Sequence, residues 1–219
     1  MADTAYTRVK ICGVTRPEDA AAAVAAGCDA VGVILWAGSP RCIDRERARE
    51  IRAAVPQCVL MVGVFVNAER PEVEDAVEGI GLNAVQLCGR VPGNGWGSLP
   101  GKTRLLRAIG IGPESTAMTT RLEAVEDYLL DTQVDGGYGG TGKSFDWNLA
   151  PQYRDWGRIW LAGGLAPENV GMAIATARPF AVDVSSGVEL SPGIKSHDLI
   201  RRFVAAVRDA DSRLSGAKL

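Results

Sequence analysis

Two side chains that could move protons stand where short apolar runs end. Cys12 closes the run 9–12 and Asp131 closes the run 128–131. Because side chains alternate along a strand, Lys10 and Cys12 share one side, which we expect to face inward. An ammonium group beside a thiol can lower the thiol pKa, so Cys12 is a candidate general base. A carboxyl group that ends an apolar run is costly to bury unless it is paired or used, so Asp131 is the second candidate.

Each candidate also has a purely structural interpretation. Cysteine is among the most commonly buried residues, so Cys12 could serve packing alone, and Asp131 could cap a helix or loop. Asp183, inside the run 180–184, could be catalytic, but pairing with Lys10 in the interior is favoured. The single histidine, His197, falls just inside the last predicted helix. Acid–base chemistry in this chain therefore has to come from Cys, Asp, Glu or Lys.

Small residues follow the last two apolar runs and indicate an anion site. In a closed barrel of alternating strands and helices, the loops after strands 7 and 8 commonly bind phosphate. Main-chain N–H groups there can face the anion, helped by the positive end of a helix. We therefore expect a phosphorylated small-molecule substrate, with Gly187 opening a short helix. The residues of this candidate site are Gly163, Gly164, Ser185, Ser186 and Gly187.

Two further loops carry candidate functional groups. Arg41, after the second run, offers a planar fork that suits a carboxylate or a phosphate, although an exposed surface arginine is the alternative. The glycine-rich segment 136–143 lacks the order of a nucleotide-binding loop. That segment is better interpreted as a mobile active-site loop or a plain flexible one.

The elements that position these residues alternate along the chain. Aliphatic and β-branched runs typical of buried parallel strands alternate with capped helical segments, most clearly over 17–26, 44–54, 71–78, 119–126, 167–177 and 196–211. The segment near 93–100 signals a helix only weakly. The pattern predicts a single (β/α)8 TIM barrel over residues 1–219, with a polar tail over 212–219. A doubly wound open sheet is the alternative. The eight predicted strands are 8–13, 30–35, 59–66, 84–88, 103–109, 128–131, 159–162 and 180–184.

Composition narrows the class of protein. The chain has 219 residues, 47% of them hydrophobic, and a net charge of −2. No long basic run indicates nucleic-acid binding, and no apolar stretch approaches the roughly 20 residues that span a bilayer. Five cysteines at irregular spacing favour free thiols in the cytoplasm over disulfides or a zinc site. No metal, redox cofactor or nucleotide is indicated.

Several segments, taken together, resemble the phosphoribosylanthranilate isomerases of tryptophan biosynthesis. Each is modest evidence alone, but they occur in the family's order along most of the chain. The matching segments are Lys10–Gly13, Ser39–Arg41, Gly63–Asn67, Asn83–Leu87, Leu129–Thr132, Gly139–Trp147, Leu161–Val170 and Val182–Glu189.

The resemblance implies an Amadori rearrangement of N-(5-phosphoribosyl)anthranilate to 1-(2-carboxyphenylamino)-1-deoxyribulose 5-phosphate. By this resemblance Asp131 is the general acid that opens the ribose ring, and Cys12 is the general base that removes the proton from C2. Arg41 matches the position that binds the anthranilate carboxylate. The residues at 163–164 and 185–187 match the phosphate site. The reaction needs no cofactor, and the protein is expected to be a monomer or a homodimer.

The chain departs from the family at two places. Cys88-Gly89 stands where His-Gly is usual, and the loop before Arg41 contains Trp36-Ala37-Gly38 where an aromatic residue followed by lysine is commoner. These departures concern local binding and substrate scope, not the class of reaction.

Three competing functions remain. A ribulose-phosphate epimerase needs metal-binding histidines that the chain lacks, and a histidine-pathway isomerase is expected to end its first strand in Asp rather than Cys12. A non-catalytic barrel is the third, and the presence of both Cys12 and Asp131 argues against it.

The phosphate site predicts the effect of one substitution. Gly164→Asp should abolish turnover while the fold survives, because the new side chain crowds the anion and repels its charge. Turnover and the circular dichroism spectrum of the purified variant check this. Retained turnover, or a phosphate bound at segment 136–142 instead, contradicts the assignment.

Overall fold

Eight parallel strands close into a barrel in which each strand pairs with its neighbours in chain order. The computed structural model describes residues 6–91, 96, 99–112, 121, 125–132 and 144–216. The predicted (β/α)8 barrel is confirmed, and the open-sheet alternative is wrong because β1 pairs with β8. The strands are β1 Arg8–Ile11, β2 Ala30–Ile34, β3 Leu60–Val66, β4 Ala84–Cys88, β5 Arg104–Ile111, β6 Asp127–Thr132, β7 Arg158–Leu161 and β8 Ala181–Val184.

Helices surround the barrel, and local sequence sets their ends. Pro17 begins the first helix, and Gly27 ends it with a left-handed backbone at φ 91°. The side chain of Asp44 caps the second by accepting from the main-chain N–H of Arg47. The α-helices are α1 Pro17–Ala26, α2 Arg45–Ala54, α3 Arg70–Ile80, α4 Val170–Ala177 and α5 His197–Gly216. Shorter elements are the 3-10 helices Pro100–Lys102, Trp147–Trp156 and Ser186–Val188, and the hairpin strands β9 Glu189–Ser191 and β10 Ile194–Lys195.

Two of the predicted segments lie wholly or mostly outside the described residues, and the last helix runs on into the predicted tail. Most of the helix expected over 119–126 lies outside the described residues, and Val125 and Glu126 are not helical. The glycine-rich segment 136–143 also lies outside them. Helix α5 continues through Gly216, so the tail expected over 212–219 is helical for most of its length.

The hydrophobic core has two layers, as the alternation of strand side chains requires. Val9 and Ile11 belong to the layer between the barrel and the helices. The other layer fills the barrel, where Trp160 is fully buried. Its buried members are Ala30, Val62, Ala84, Leu106, Leu129, Trp160, Ala162 and Ala181. The interior is therefore packed and leaves chemistry to the strand ends.

Asp127 anchors the amino-terminal end of the barrel. It is 2% exposed and begins β6, on the same side of the strand as Leu129 and Asp131. One carboxylate oxygen accepts from the Trp160 indole at 2.9 Å and from Arg158 Nε at 2.9 Å, while the other accepts from Arg158 Nη2 at 2.7 Å. These bonds fix the large ring that fills the interior.

Removing this charge should destabilise the barrel. We expect Asp127→Asn to lower the free energy of unfolding by about 1–3 kcal/mol, because an amide group then faces the donors of Arg158 in a buried place. Unfolding in urea measures this change in the free energy of unfolding. Glu126→Gln is the matched control, since Glu126 contacts the same Nη2 at 3.1 Å with its side chain 83% exposed and should cost below about 1 kcal/mol. Equal losses in the two variants contradict this account.

Candidate active site

The carboxyl ends of four strands bring the predicted site residues to one mouth of the barrel. Cys12 follows β1, and its N–H donates to the carbonyl of Val184 in β8 at 2.8 Å. A Cβ atom placed on Gly163, after β7, would lie 3.1 Å from Oδ1 of Asp131 in β6. Ser185 follows β8 directly. The candidate base, the candidate acid and the loops after β7 and β8 therefore lie at the same end of the barrel.

A buried ammonium group lies beneath this mouth. The side chain of Lys10 is fully buried, and its Nζ donates to Gln86 Oε1 at 2.8 Å and to Asp183 Oδ1 at 3.0 Å. Lys10 also interacts with the Cys12 thiol. Of the two interpretations of Asp183, pairing with Lys10 is confirmed. Because Gln86 belongs to β4, the contact crosses the barrel interior and ties opposite strands together.

Gly32 makes room for Lys10 and Cys12. A Cβ atom at this position in β2 would lie 2.9 Å from Cys12 Sγ and 3.1 Å from Lys10 Cε. Real Cβ atoms essentially never come within 3.0 Å of a neighbour, so any larger residue at position 32 would displace the thiol. The glycine thus defines where the candidate base stands.

The loops after β7 and β8 touch each other and form a small-residue surface. Gly163 and Gly164 have φ values of 83° and 63°, a region that glycine adopts freely. A side chain on Gly187 would collide with the carbonyl oxygen of Leu165. The short helix expected to open at Gly187 begins one residue earlier, at Ser186. The two loops can approach this closely only because position 187 is glycine.

A serine hydroxyl in this surface has no hydrogen-bond partner among the described residues. Ser185 Oγ is buried and makes no hydrogen bond within the described part of the chain. A buried hydroxyl without a partner is costly, so this position suits a bound acceptor such as a phosphate oxygen. The neighbouring loop is held by Asn169, which donates to the carbonyl of Gly164 at 2.9 Å and accepts from Ala166 N–H at 2.8 Å.

Arg41 is buried rather than exposed, which makes the surface alternative wrong. It is 8% exposed, and its main-chain N–H donates to Ser39 Oγ at 3.1 Å. Its guanidinium donates to Glu189 through Nε at 2.8 Å and Nη2 at 2.7 Å. A Cβ atom on Gly13 would lie 3.0 Å from Ser185 Oγ and still closer to Arg41 Cδ, so Arg41 borders the loop after β8.

Known proteins share both this fold and these motifs. The family model for N-(5'-phosphoribosyl)anthranilate isomerase matches residues 9–206. The chain belongs to the phosphoribosylanthranilate isomerase family.

Individual relatives agree with this assignment. The N-(5'-phosphoribosyl)anthranilate isomerase of Pseudomonas fluorescens is 47% identical over 204 residues, which cover 92% of this chain and 98% of that protein. The crystal structure of phosphoribosyl anthranilate isomerase from Thermotoga maritima matches with a TM-score of 0.83 and 44% identity, over 93% of this chain and 99% of that one. Another solved phosphoribosyl anthranilate isomerase, with a TM-score of 0.79, 42% identity and the same coverage of both chains, is in complex with reduced 1-(o-carboxyphenylamino)-1-deoxyribulose 5-phosphate.

Burial dominates the proton affinity of Cys12 in this isomerase. Burial raises the pKa of the thiol above its ordinary value, while the ammonium groups of Lys10 and Lys195 act in the opposite direction. The expectation that Lys10 gives a lowered thiol pKa is therefore wrong in its net sign. The cost of charging a buried sulfur exceeds the attraction of the nearby cation. Lys10 itself stays charged, because Asp183 and Cys12 raise its pKa although burial opposes them.

Asp131 holds its proton more tightly than an ordinary aspartate. Burial, followed by the charge of Asp183, raises the pKa of Asp131 to about 6. The N–H of Thr132, which donates to Oδ1 at 2.8 Å, and the charge of Lys10 oppose that shift. A carboxyl group with a pKa near neutrality is suited to general acid catalysis.

Cys88, which stands where the family usually has histidine, also interacts with Asp131. Gln86 Nε2 lies 3.5 Å from its sulfur, and burial raises the pKa of the Cys88 thiol to about 11. The charges of Asp131 and Cys12 act in the same direction. Cys88 is therefore a neutral thiol near neutral pH, where histidine would add a titrating group.

Sequence reasoning missed several residues that shape the site. Gln86 and Glu189 lay inside quoted motifs, but their partners are far along the chain. Lys195 is buried and gave no signal in its short strand. The single histidine, His197, is bonded to Asp19 at 2.9 Å beside α1, as a non-catalytic role predicts. No pattern in the two-residue strand Ile194–Lys195 marks the lysine as buried.

Two absences apply to the described residues only. Within them, no group of three or more His, Cys, Asp or Glu side chains is arranged to hold a metal ion. None of the helices described there has both the length and the apolar composition to cross a bilayer.

The raised proton affinity of Asp131 can be measured directly. We expect its carboxyl group to titrate near pH 6, because burial and Asp183 both disfavour its charged form. Carbon-13 NMR of protein labelled at aspartate follows the titration, and Asp131→Asn assigns the resonance. Titration near the ordinary value of about 3.9 contradicts this picture of the site.

Proposed function

We propose that Cys12 and Asp131 are the base and acid of the Amadori rearrangement that defines this isomerase family in tryptophan biosynthesis. The observation that carries the proposal is the arrangement of a thiol and a carboxyl group above the charged Lys10, at one barrel mouth. Substrate held between the two groups would meet one proton donor and one proton acceptor, which is what the reaction needs.

The first step is ring opening of N-(5-phosphoribosyl)anthranilate. Asp131 gives its proton to the ribose ring oxygen, the C1–O bond breaks, and the nitrogen lone pair forms a C1=N iminium. The raised pKa of Asp131 supports this role, because it keeps the proton available up to about pH 6. A fully exposed aspartate, with a pKa near 3.9, would be almost entirely ionised there.

The second step removes the proton from C2 of the sugar. The Cys12 thiolate takes that proton, and the C–H electron pair forms the C1=C2 bond of an enolamine while the iminium charge is neutralised. Tautomerisation then moves a proton to C1 and leaves the C2 ketone. Lys10 supports this step because its buried positive charge beside the sulfur lowers the free energy needed to form the thiolate.

Above about pH 6 the two groups hold one proton between them. Cys12 has a raised pKa and Asp131 has one of about 6, so between these values the pair holds a single proton. The reactive form places that proton on Asp131 and the charge on Cys12. Lys10 contacts Cys12 and favours its thiolate, while the same charge lowers the pKa of Asp131 and so acts against the protonated acid.

The remaining site residues hold the ends of the substrate. Gly163, Gly164 and the 185–187 loop bind the phosphate, mostly through main-chain N–H groups, with Ser185 Oγ as an added donor. Arg41 binds the anthranilate carboxylate through the guanidinium edge that Glu189 leaves open.

We further propose that the protein acts in the cytoplasm, as a monomer or a homodimer, on a phosphorylated small molecule. All five cysteines are free thiols, which fits a reducing compartment. A solved relative from Thermotoga maritima, with a TM-score of 0.78 and 40% identity over 93% of this chain and 99% of that one, is described as monomers generated from a dimeric enzyme. Light scattering of the purified protein decides between the two states.

Removing either proton-transfer group should reduce turnover without weakening substrate binding. We expect Cys12→Ala and Asp131→Asn each to lower kcat by about 10²- to 10⁴-fold, the usual contribution of a positioned acid or base. KM should change far less, since the phosphate and carboxylate ends anchor the substrate. The fluorescence change of the anthranilate substrate measures both constants.

Cys28→Ala serves as the matched control, because this buried thiol packs in the outer layer of the core. It should keep kcat close to that of the parent protein. Near-parental kcat in both site variants would exclude the proposed mechanism.

A further inference from the structure

Three buried charged side chains form a cluster beside the mouth of the barrel. The side chains of Arg41, Glu189 and Lys195 are 10%, 5% and 0% exposed. Arg41 comes from the loop after β2, whereas Glu189 and Lys195 belong to the hairpin that follows β8. The hairpin therefore brings its charges to an arginine almost 150 positions earlier in the sequence.

Glu189 engages one particular edge of the Arg41 guanidinium. Its two oxygens accept from Nε at 2.8 Å and from Nη2 at 2.7 Å, which is the side-on geometry of a bidentate pair. A guanidinium has five N–H donors, so both hydrogens of Nη1 and one of Nη2 remain. Nη1 makes no hydrogen bond to any residue that the structure describes. The end-on edge formed by Nη1 and Nη2 therefore stays open to a second carboxylate.

Lys195 compensates for the charge of Glu189. Its Nζ donates to Glu189 Oε1 at 2.8 Å and to the carbonyl of Ser185 at 3.1 Å. Two cations and one anion leave the cluster with one net positive charge. Glu189 alone would neutralise Arg41 and remove its attraction for an anion, so the lysine restores the charge that a monoanionic carboxylate requires.

The carboxylate of Glu189 is firmly ionised. Burial opposes its charge, but the hydrogen bonds from Arg41 and the charge of Lys195 lower the pKa of Glu189 below its ordinary value. The N–H of Gly193 adds a bond to Oε1 at 3.2 Å. The hairpin therefore holds the carboxylate in one place, and the carboxylate in turn restricts the guanidinium.

We propose that Glu189 is a positioning residue that fixes Arg41 so that its Nη1 and Nη2 fork faces the anthranilate carboxylate. Lys195 supplies the balancing charge. The inference rests on the proposed role of Arg41, and the contacts of the Glu189 carboxylate are with Arg41, Gly193 and Lys195. Its effect should consequently appear in binding of the carboxylate end of the ligand and not in proton transfer.

Glu189→Gln is the variant that tests this. The amide oxygen can keep the bonds that Oε1 accepts from Arg41 Nε, Lys195 and Gly193, so the hairpin should fold as before. The amide nitrogen then faces Nη2, and two donors cannot share that place. The guanidinium has to turn away, and the open fork turns with it.

The expected result distinguishes binding of the carboxylate end of the substrate from binding of its phosphate end. KM and the inhibition constant of the reduced product analogue, which carries both a carboxylate and a phosphate, should rise about 10-fold. The inhibition constant of inorganic phosphate should stay within about 2-fold or fall, and kcat should stay within about 3-fold. Arg41→Ala combined with Glu189→Gln should bind no more weakly than Arg41→Ala alone.

The control is Glu50→Gln, because Glu50 pairs with Arg47 at 2.6 Å on α2 and both side chains are 49% exposed. It should leave all constants unchanged. If Arg41→Ala raises KM and Glu189→Gln does not, the positioning role is excluded while the role of Arg41 stands. Equal weakening of analogue and phosphate binding also excludes it, since that marks a general distortion. If Arg41→Ala leaves KM unchanged, the proposed carboxylate site itself fails.

Discussion

The buried ion pair between Lys10 and Asp183 is the interaction on which the site depends. Lys10 is fully buried and Asp183 is 8% exposed, so each charge needs the other to remain inside the barrel. Gln86 completes the set from the opposite wall. The pair is a poor source of stability, because desolvation offsets most of its Coulomb attraction. Its value lies in placing fixed charges of both signs beneath Cys12 and Asp131.

Those fixed charges explain how two groups of unlike acidity can work together. Burial and Asp183 raise the pKa of Asp131 and so help this proposed acid to keep a proton, while Lys10 opposes the effect of burial on the Cys12 thiol. The pKa values of the two groups are linked, since a change at Lys10 alters both. At the other end of the barrel the buried charge serves stability, because Asp127 holds the Trp160 ring in place. Stability at one end and chemistry at the other is the usual division in this fold.

The sequence predicted the barrel and the end of it at which the candidate residues meet, because both follow from local patterns. Alternation placed Lys10 and Cys12 on one side of β1, and a polar residue closing an apolar run marked Asp131. What it could not predict depends on contacts between distant segments: Arg41 meets Glu189 across 148 positions, and Lys10 meets Gln86 across 76. The sign of the Cys12 shift was missed for the same reason, since burial at the centre of a closed barrel is a property of the whole fold.

The most direct test of the account is growth of a tryptophan auxotroph that lacks phosphoribosylanthranilate isomerase. Expression of this chain should restore growth without tryptophan, and folded Cys12→Ala or Asp131→Asn protein at equal abundance should not. Because growth requires the complete rearrangement, binding alone cannot produce the positive result. Failure of the parent chain to restore growth contradicts the assigned reaction, and rescue by both variants contradicts the assigned acid and base.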